Sequence, residues 1–443
     1  MKNKRMVSFF IALLFIFTSS LQAQQNINYN DPNYKILPES NIKIGTLPNG
    51  LKYYIKENKK PEKRAELYIA VDAGAVLEDD DQDGLAHFTE HMCFNGTKNF
   101  PKKGIIDFLE SIGVKFGADL NAYTNWDQTV YTLSRMPTDD IEKFDKGLDI
   151  LRDWASNVSF EDAEIDKERG VIVEEWRLGK GAEDRISKKH NKVLFYNSRY
   201  DLRDVIGDTA ILNHFKYETI RRFYKDWYRP DLMAVIAVGD FNKDEVEKKI
   251  IERFSSLQNP ATARERTRYK LPPHKETFVS IATDRELSFP NVTVYFKNPD
   301  RDASTIGSYR QDIVSRIFTS LLSLRFNELR RKPNPPFLFA AASEGEFVGD
   351  TRVLFLFAGA KGDGINTCFE NLLTEAFRAN KHGFTQTELD RTKKETLRNV
   401  EQMYNERDKT ESENYAQEYL RNFLKQEPIP GIATELDIYK KFI

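Results

Sequence analysis

The stretch His87-Phe88-Thr89-Glu90-His91 decides the reading of this 443-residue chain. In a helix, two imidazoles four residues apart share a face, and Glu90 lies on the same side, three residues after the first. Leu85, Phe88 and Met92 fall nearly opposite, so one flank can be buried while the other holds a metal. This is the inverted HxxEH pattern, in which two histidines bind Zn²⁺ and the glutamate activates a water.

A second pattern overlaps it. Asp79-x-Asp81-x-Asp83-Gly84, followed by Glu90, also satisfies an EF-hand calcium loop, so a secreted calcium-binding module is a competing reading. An EF-hand needs an entering helix, whereas Leu67-Tyr68-Ile69-Ala70-Val71-Asp72-Ala73-Gly74 reads as an apolar, β-branched strand closing on glycine. The acidic run is therefore expected to be a turn that opens the metal helix, with Asp83 as its N-cap.

At the start of the chain, Lys2, Lys4 and Arg5 precede an apolar stretch from Met6 to Phe17 and small residues at Ser19, Ser20 and Ala23. Residues 1–23 read as a secretory signal peptide, which places the protein outside the cytoplasm, periplasmic or secreted. The apolar core is short for a transmembrane span, and no later stretch approaches the roughly 18 apolar residues one requires. The formal net charge is −2 with both signs interspersed, which leaves no nucleic-acid footprint. Cys93 and Cys368 each sit in an apolar helical pattern and are expected to be buried thiols rather than a bridge.

The element order repeats along the chain. Ile42 to Leu47 and Leu51 to Ile55 form a hairpin around Asn49-Gly50. A strand at 66–73, the metal helix at 84–94, a helix at 104–112 and a strand at 129–134 follow. Helices at 139–156 and 161–178 come next, then a broken pattern up to a helix near 217–227. An apolar strand at Ala234–Gly239 and a helix reaching Leu257 close the first copy. Residues 259–275, with three prolines and many charges, read as a linker. Beyond it, Phe160-x-x-x-Glu164-Ile165-Asp166-Lys167 recurs as Phe384-x-x-x-Glu388-Leu389-Asp390-Arg391, an offset of 224 residues. The fold class is thus α+β, with two homologous α/β sandwich domains, each a mixed, largely antiparallel sheet with helices packed on it. Residues 24–258 are expected to form the catalytic domain and 276–443 a degenerate repeat that binds no metal. By the offset, Ile443 matches Thr219, so this repeat is read as truncated before a counterpart of the Ala234–Gly239 strand.

Two histidines and a water leave one protein ligand to find, and catalytic zinc sites commonly take a carboxylate there. Glu168 and Glu175 are seven apart on the 161–178 helix and share a face; Glu174, on a different face, is the rival. Their counterparts in the second copy are Thr392 and Asn399, and the helix at 312–330 that matches the metal helix contains no histidine.

Gly84-Leu85-Ala86-His87-Phe88-x-Glu90-His91-Met92 is joined by Phe94-x-Gly96-Thr97, Glu168-Arg169-x-Val171-Ile172-x-x-Glu175 and Trp227-Tyr228-x-Pro230. Together these resemble the insulinase/pitrilysin-type zinc metallopeptidases, in their N-terminal half. The resemblance implies one zinc per chain, with His87, His91 and Glu175 as ligands. It makes Glu90 the general base on the zinc-bound water and Glu168 a carboxylate that orients a ligand histidine. It further implies that Asn121, Ala122 and Tyr123 begin an edge strand that pairs with substrate backbone. The expected activity is endopeptidase cleavage of flexible peptides, inside a chamber completed by a C-terminal half or a partner subunit. A non-catalytic binding or assembly subunit of the same fold is the remaining alternative.

Overall fold

A computed structural model describes residues 27–114 and 120–443, so the expected signal peptide lies outside the described residues. The chain forms two α/β domains. The first runs through β1 (Ile42–Thr46), β2 (Lys52–Glu57), β3 (Arg64–Val71), α1 (Leu85–Met92), α2 (Gly104–Ser111), β4 (Leu120–Thr124) and β5 (Thr129–Pro137). It continues with α3 (Ile141–Ser156), α4 (Asp162–Leu178), α5 (Ala182–Leu194), α6 (Thr209–His214), α7 (Tyr217–Trp227), β6 (Met233–Gly239) and α8 (Lys243–Phe254). The second contains β7 (Asn291–Pro299), α9 (Ile306–Arg330), β8 (Phe339–Glu346), β9 (Thr351–Gly359) and α10 (Ile365–His382). It ends with α11 (Gln386–Asn405), α12 (Ser412–Lys425) and α13 (Ile432–Phe442).

The first sheet has the order β1-β2-β6-β3-β5-β4 and is antiparallel apart from the β2–β6 pair. The second, β7-β9-β8, is antiparallel throughout. The succession β7-α9-β8-β9-α10-α11 reproduces β3-α1-β4-β5-α3-α4, with the single long α9 standing where α1 and α2 stand. That is the duplication read from the Phe160/Phe384 match.

Local chemistry sets these elements. Gly50 takes φ +92°, open to glycine at little cost, and its amide bonds Leu47 O at 2.9 Å to close the β1–β2 turn. Strand β6 is buried at every residue because it is central and covered on both faces, which explains its unbroken apolar run. One face, with Val235 and Ala237, meets the large core shared with Leu148 and Leu151 of α3 and Ile250 of α8. The other face, with Ala234, Ile236 and Val238, is covered by Ala416, Tyr419, Leu420 and Leu424 of α12. Tyr419 stacks on Tyr54 of β2 at 6.0 Å, and the Tyr54 hydroxyl donates to Asn422. Burying each large side chain of α12 contributes about 1.5–3 kcal/mol. A helix of the second domain therefore completes the core of the first.

Two features differ from the sequence expectation. The broken pattern between 179 and 216 contains α5 and α6. Helix α5 has no buried residue, so it had no apolar stripe to read. Residues 255–290 hold no helix or strand, but the charged stretch is anchored rather than free. Arg264 pairs with Asp79 and Asp226, and Arg266 and Arg268 both pair with Asp72 of the first domain.

Candidate metal centre

Helix α1 presents its two flanks as its sequence requires. Leu85, Phe88 and Met92 are buried against Ile165 and Ile172 of α4, Leu212 of α6 and Ile220 of α7. His87, Glu90 and His91 turn the other way.

The start of this helix is not built as expected. Gly84 occupies the N-cap position at φ +95°, and Asp83 makes no capping bond. The α1 amides instead meet Glu78: Gly84 N donates to Oε2 at 3.1 Å and Ala86 N to Oε1 at 2.7 Å. Glu78 is fully buried, and burial pushes its carboxyl well above the usual range in spite of these two donors. A side chain at Gly84 would collide with Gly207, whose Cα lies 2.6 Å from where a Cβ would stand. The close backbone approach, rather than Asp83, sets the turn. Asp83 is left partly buried, and that burial raises it to about 6.

The calcium reading fails on geometry. Of the carboxylates in that pattern, Asp79 goes to Arg264 and Asp81 to Arg222, while Glu90 accepts from Thr124 beside the histidines, so they spread over separate partners instead of converging on one ion.

His87, His91 and Glu175 do converge, with one donor atom from each within 4.8 Å of the others. Glu175 Oε1 lies 3.8 Å from His87 Nε2, and Oε2 lies 3.4 Å from His91 Nε2. Ligands of a tetrahedral zinc, at about 2.1 Å from the ion, stand about 3.4 Å apart. The donor set and its spacing therefore fit a zinc ion. Glu174 points elsewhere, into a forked pair with Arg177. Glu168 accepts from His91 Nδ1 at 2.8 Å, which leaves His91 Nε2 facing Glu175. Asn95, just past the end of α1, donates to the second oxygen of Glu168.

Electrostatics separates the two histidines. Burial, with the neighbouring His91, pushes His87 down to about 4, which keeps a free ring nitrogen for a metal. Burial would also lower His91, but its hydrogen bonds to Glu168 and Glu175 override this and hold it up at about 9. The cluster draws positive charge. The bond with His91 lowers Glu175 in turn. Glu90 is 8 % exposed, and burial raises its carboxyl while the Thr124 hydroxyl, donating to Oε2 at 2.6 Å, opposes the rise. Thr124 ends β4, the free edge of the first sheet, where Asn121, Ala122 and Tyr123 also lie. Glu78, Thr124 and Asn95 escaped the sequence reading. Asn95 alone left a trace, four residues after His91, although α1 already ends at Met92.

In the second domain the counterparts Thr392 and Asn399 belong to no such cluster among the described residues. His87, His91 and Glu175 form the one His/Cys/Asp/Glu cluster of this kind among the described residues.

Comparison with known proteins agrees with this architecture. The sequence profile of "Insulinase (Peptidase family M16)" matches residues 53–192, and that of "Peptidase M16 inactive domain" matches residues 214–396. The "Probable zinc protease PqqL" of Haemophilus influenzae is 35% identical over 321 residues, which cover 72% of this chain and 34% of the relative. The "Zinc protease PQQL-like" of Arabidopsis thaliana is 30% identical over 400 residues, covering 90% and 39%. The chain thus spans less than two-fifths of the length of these relatives. The crystal structure of the first half of the periplasmic protease PqqL from Escherichia coli superimposes with a TM-score of 0.85 at 28% identity, over 92% of this chain and 87% of that one. Against the whole of that protease the match covers 45% of its length, at a TM-score of 0.84. With both domain profiles in order and the fold of the first half reproduced, the chain belongs to the insulinase (M16) peptidase family.

Proposed function

We propose that this chain carries the catalytic centre of a zinc-dependent endopeptidase acting on flexible peptides, with one zinc held by His87, His91 and Glu175. The observation that carries the reading is the convergence of those three donors beside a buried carboxylate, Glu90, in one domain of a duplicated pair. When bound, zinc supplies Lewis-acid polarisation of a carbonyl and lowers the pKa of water to about 7. Glu90 is the general base: it takes a proton from the attacking water and returns it to the amide nitrogen as the C–N bond breaks. The Thr124 hydroxyl orients its carboxylate. Glu168 holds the tautomer of His91, with Asn95 steadying Glu168 from behind. Asn121, Ala122 and Tyr123, on the unpaired edge of β4, offer backbone groups to an extended peptide.

The relatives named zinc proteases are more than twice as long, which supports a further half, on the same polypeptide or on a partner subunit, closing a chamber over the site. The basic, apolar and small-residue pattern of residues 1–23 and the periplasmic location of the Escherichia coli relative support export. No helix of the described residues is long and apolar enough to cross a membrane.

The test is metal content and peptidase activity of the purified chain. Close to one equivalent of zinc is expected, with cleavage of a quenched peptide library that Glu90→Gln abolishes. Equal hydrolysis by wild type and Glu90→Gln would remove the mechanism, and zinc without any hydrolysis would favour a binding or assembly subunit.

A further inference from the structure

His87 and His91 are held in place by different means. The His91 ring is turned by Glu168, which meets Nδ1 at 2.8 Å. Metal-binding histidines ordinarily make such a bond through their second ring nitrogen. His87 Nδ1 is buried and has no hydrogen-bond partner, so its ring lacks that control. The position of His87 is therefore set by its backbone and its packing.

That backbone belongs to the weakest part of a helix. Helix α1 has eight residues, and His87 is the third of them. It stands in the first turn, whose amides have no partners inside the helix and where short helices fray. Here the turn is closed from outside. Leu85 N donates to Gln82 O at 2.8 Å, and the amides on either side of it, Gly84 N and Ala86 N, both end on the Glu78 carboxylate. One side chain thus grips the residue before the helix and the residue before His87.

Glu78 is itself pinned. Its backbone carbonyl accepts from Arg199 and Arg203, and Arg199 Nε also donates to Val76 O at 2.8 Å. Just before it, Ala75 N and Val76 N donate to Asn125 O and Trp126 O at 3.1 and 2.8 Å. Those two residues directly follow Thr124, whose hydroxyl holds Glu90. A continuous frame of hydrogen bonds therefore runs from the backbone ahead of His87 to the partner of Glu90. The counterpart helix α9 begins with a local cap instead, the Thr305 hydroxyl accepting from Ser308 N at 3.2 Å. A wholly buried carboxyl is the costlier device, so α1 gains from it something that a cap of the Thr305 kind does not give.

We infer that Glu78 is a positioning residue of the metal centre: by clamping the amides of Gly84 and Ala86 it sets where His87 presents its ring, as Glu168 does for His91 through the ring itself. The inference rests on the zinc reading of His87, His91 and Glu175.

Metal binding by the full chain tests it without reference to hydrolysis. Glu78→Gln keeps the shape and one acceptor oxygen but turns an NH₂ group toward a backbone amide. It should weaken zinc about tenfold in a chelator competition and shift the visible d–d absorption of the Co²⁺-loaded chain, which reports ligand geometry. In the metal-free protein, hydrogen exchange at the start of α1 should be faster in the variant than in wild type. Arg203→Gln, which loosens the Glu78 carbonyl without touching its carboxylate, should weaken zinc by a smaller factor, and it carries the test if Glu78→Gln does not fold. Asp83→Asn, beside the clamp but making no capping bond, should leave all three measurements unchanged. Lower urea stability of the Glu78 and Arg203 variants with wild-type zinc affinity and an unchanged cobalt spectrum would make Glu78 a helix cap alone and overturn the inference. A wild-type chain that binds neither zinc nor cobalt removes the metal centre and the inference with it, whereas zinc bound equally by wild type and both variants removes the inference alone.

Discussion

Two helix seams occupy corresponding places in the duplicated architecture and are clamped by opposite means. Between α1 and α4, His91 and Glu168 meet at 2.8 Å, and His87, His91 and Glu175 converge as three donors. Between α9 and α11, Arg325 Nε donates to Glu388 Oε1 at 2.8 Å and Nη2 to Oε2 at 3.1 Å. Its guanidinium lies 4.3 Å from the centroid of Phe384 and also donates to Gly383 O at 3.0 Å. The second seam contains its own permanent cation. The first gathers carboxylates around neutral or titratable imidazoles and gains by taking a cation from solution. On the proposed function, a metal site and an ion pair are two solutions to one packing problem, and only the first leaves chemistry available.

The comparison breaks most visibly at Glu90. Glu90→Gln should lower peptide hydrolysis by at least about 10²–10⁴-fold while zinc content stays near that of wild type, because the amide accepts no proton. His91→Ala should lose both zinc and activity, which metal analysis distinguishes at once.

A smaller effect sharpens the ligand set. Glu175→Gln should weaken zinc binding most in a chelator competition. Glu168→Gln should weaken it about 10–100-fold through the orientation of His91. Glu174→Gln should leave it unchanged, since that carboxylate belongs to Arg177. The reverse ranking of Glu174 and Glu175 would move the ligand assignment by one residue.

The second seam should answer in stability alone. Arg325→Ala leaves Glu388 without its partner and should cost roughly 2 kcal/mol, less than a sealed pair because Glu388 keeps some access to water. Urea denaturation measures the loss, and zinc content should not change.

The smallest effect is in pH. The bond to Arg325 holds Glu388 down at about 2, against 4.5 for a free glutamate. A depressed carboxylate contributes stability that is fully present above the unfolded value and lost as pH falls through the folded one. Stability should therefore decline from about pH 4.5 towards pH 2, and Arg325→Ala should flatten that part of the curve. An unchanged acid limb in the variant would mean that Arg325 is not what depresses Glu388.

What the sequence determined by itself was whatever is carried by period and spacing. His87, Glu90 and His91 share a face because of the 3.6-residue turn, the seven-residue phase puts Glu168 and Glu175 together as candidates, and the repeated element order exposes the duplication. These relations lie within one or two helices, where sequence distance translates directly into direction. What only the tertiary structure decided joins residues far apart in the chain. The burial of Glu78 as the acceptor for the α1 amides and the grip of Thr124 on Glu90 are of this kind. So are the dispersal of Asp79, Asp80 and Asp81 onto three arginines and the seating of α12 on the first sheet. An apolar stripe states that a helix face will be buried, but not against which surface, and a carboxylate does not announce its partner. Those choices come from the close packing of both domains at once, since each buried polar group must find a donor or acceptor in whatever the fold brings beside it.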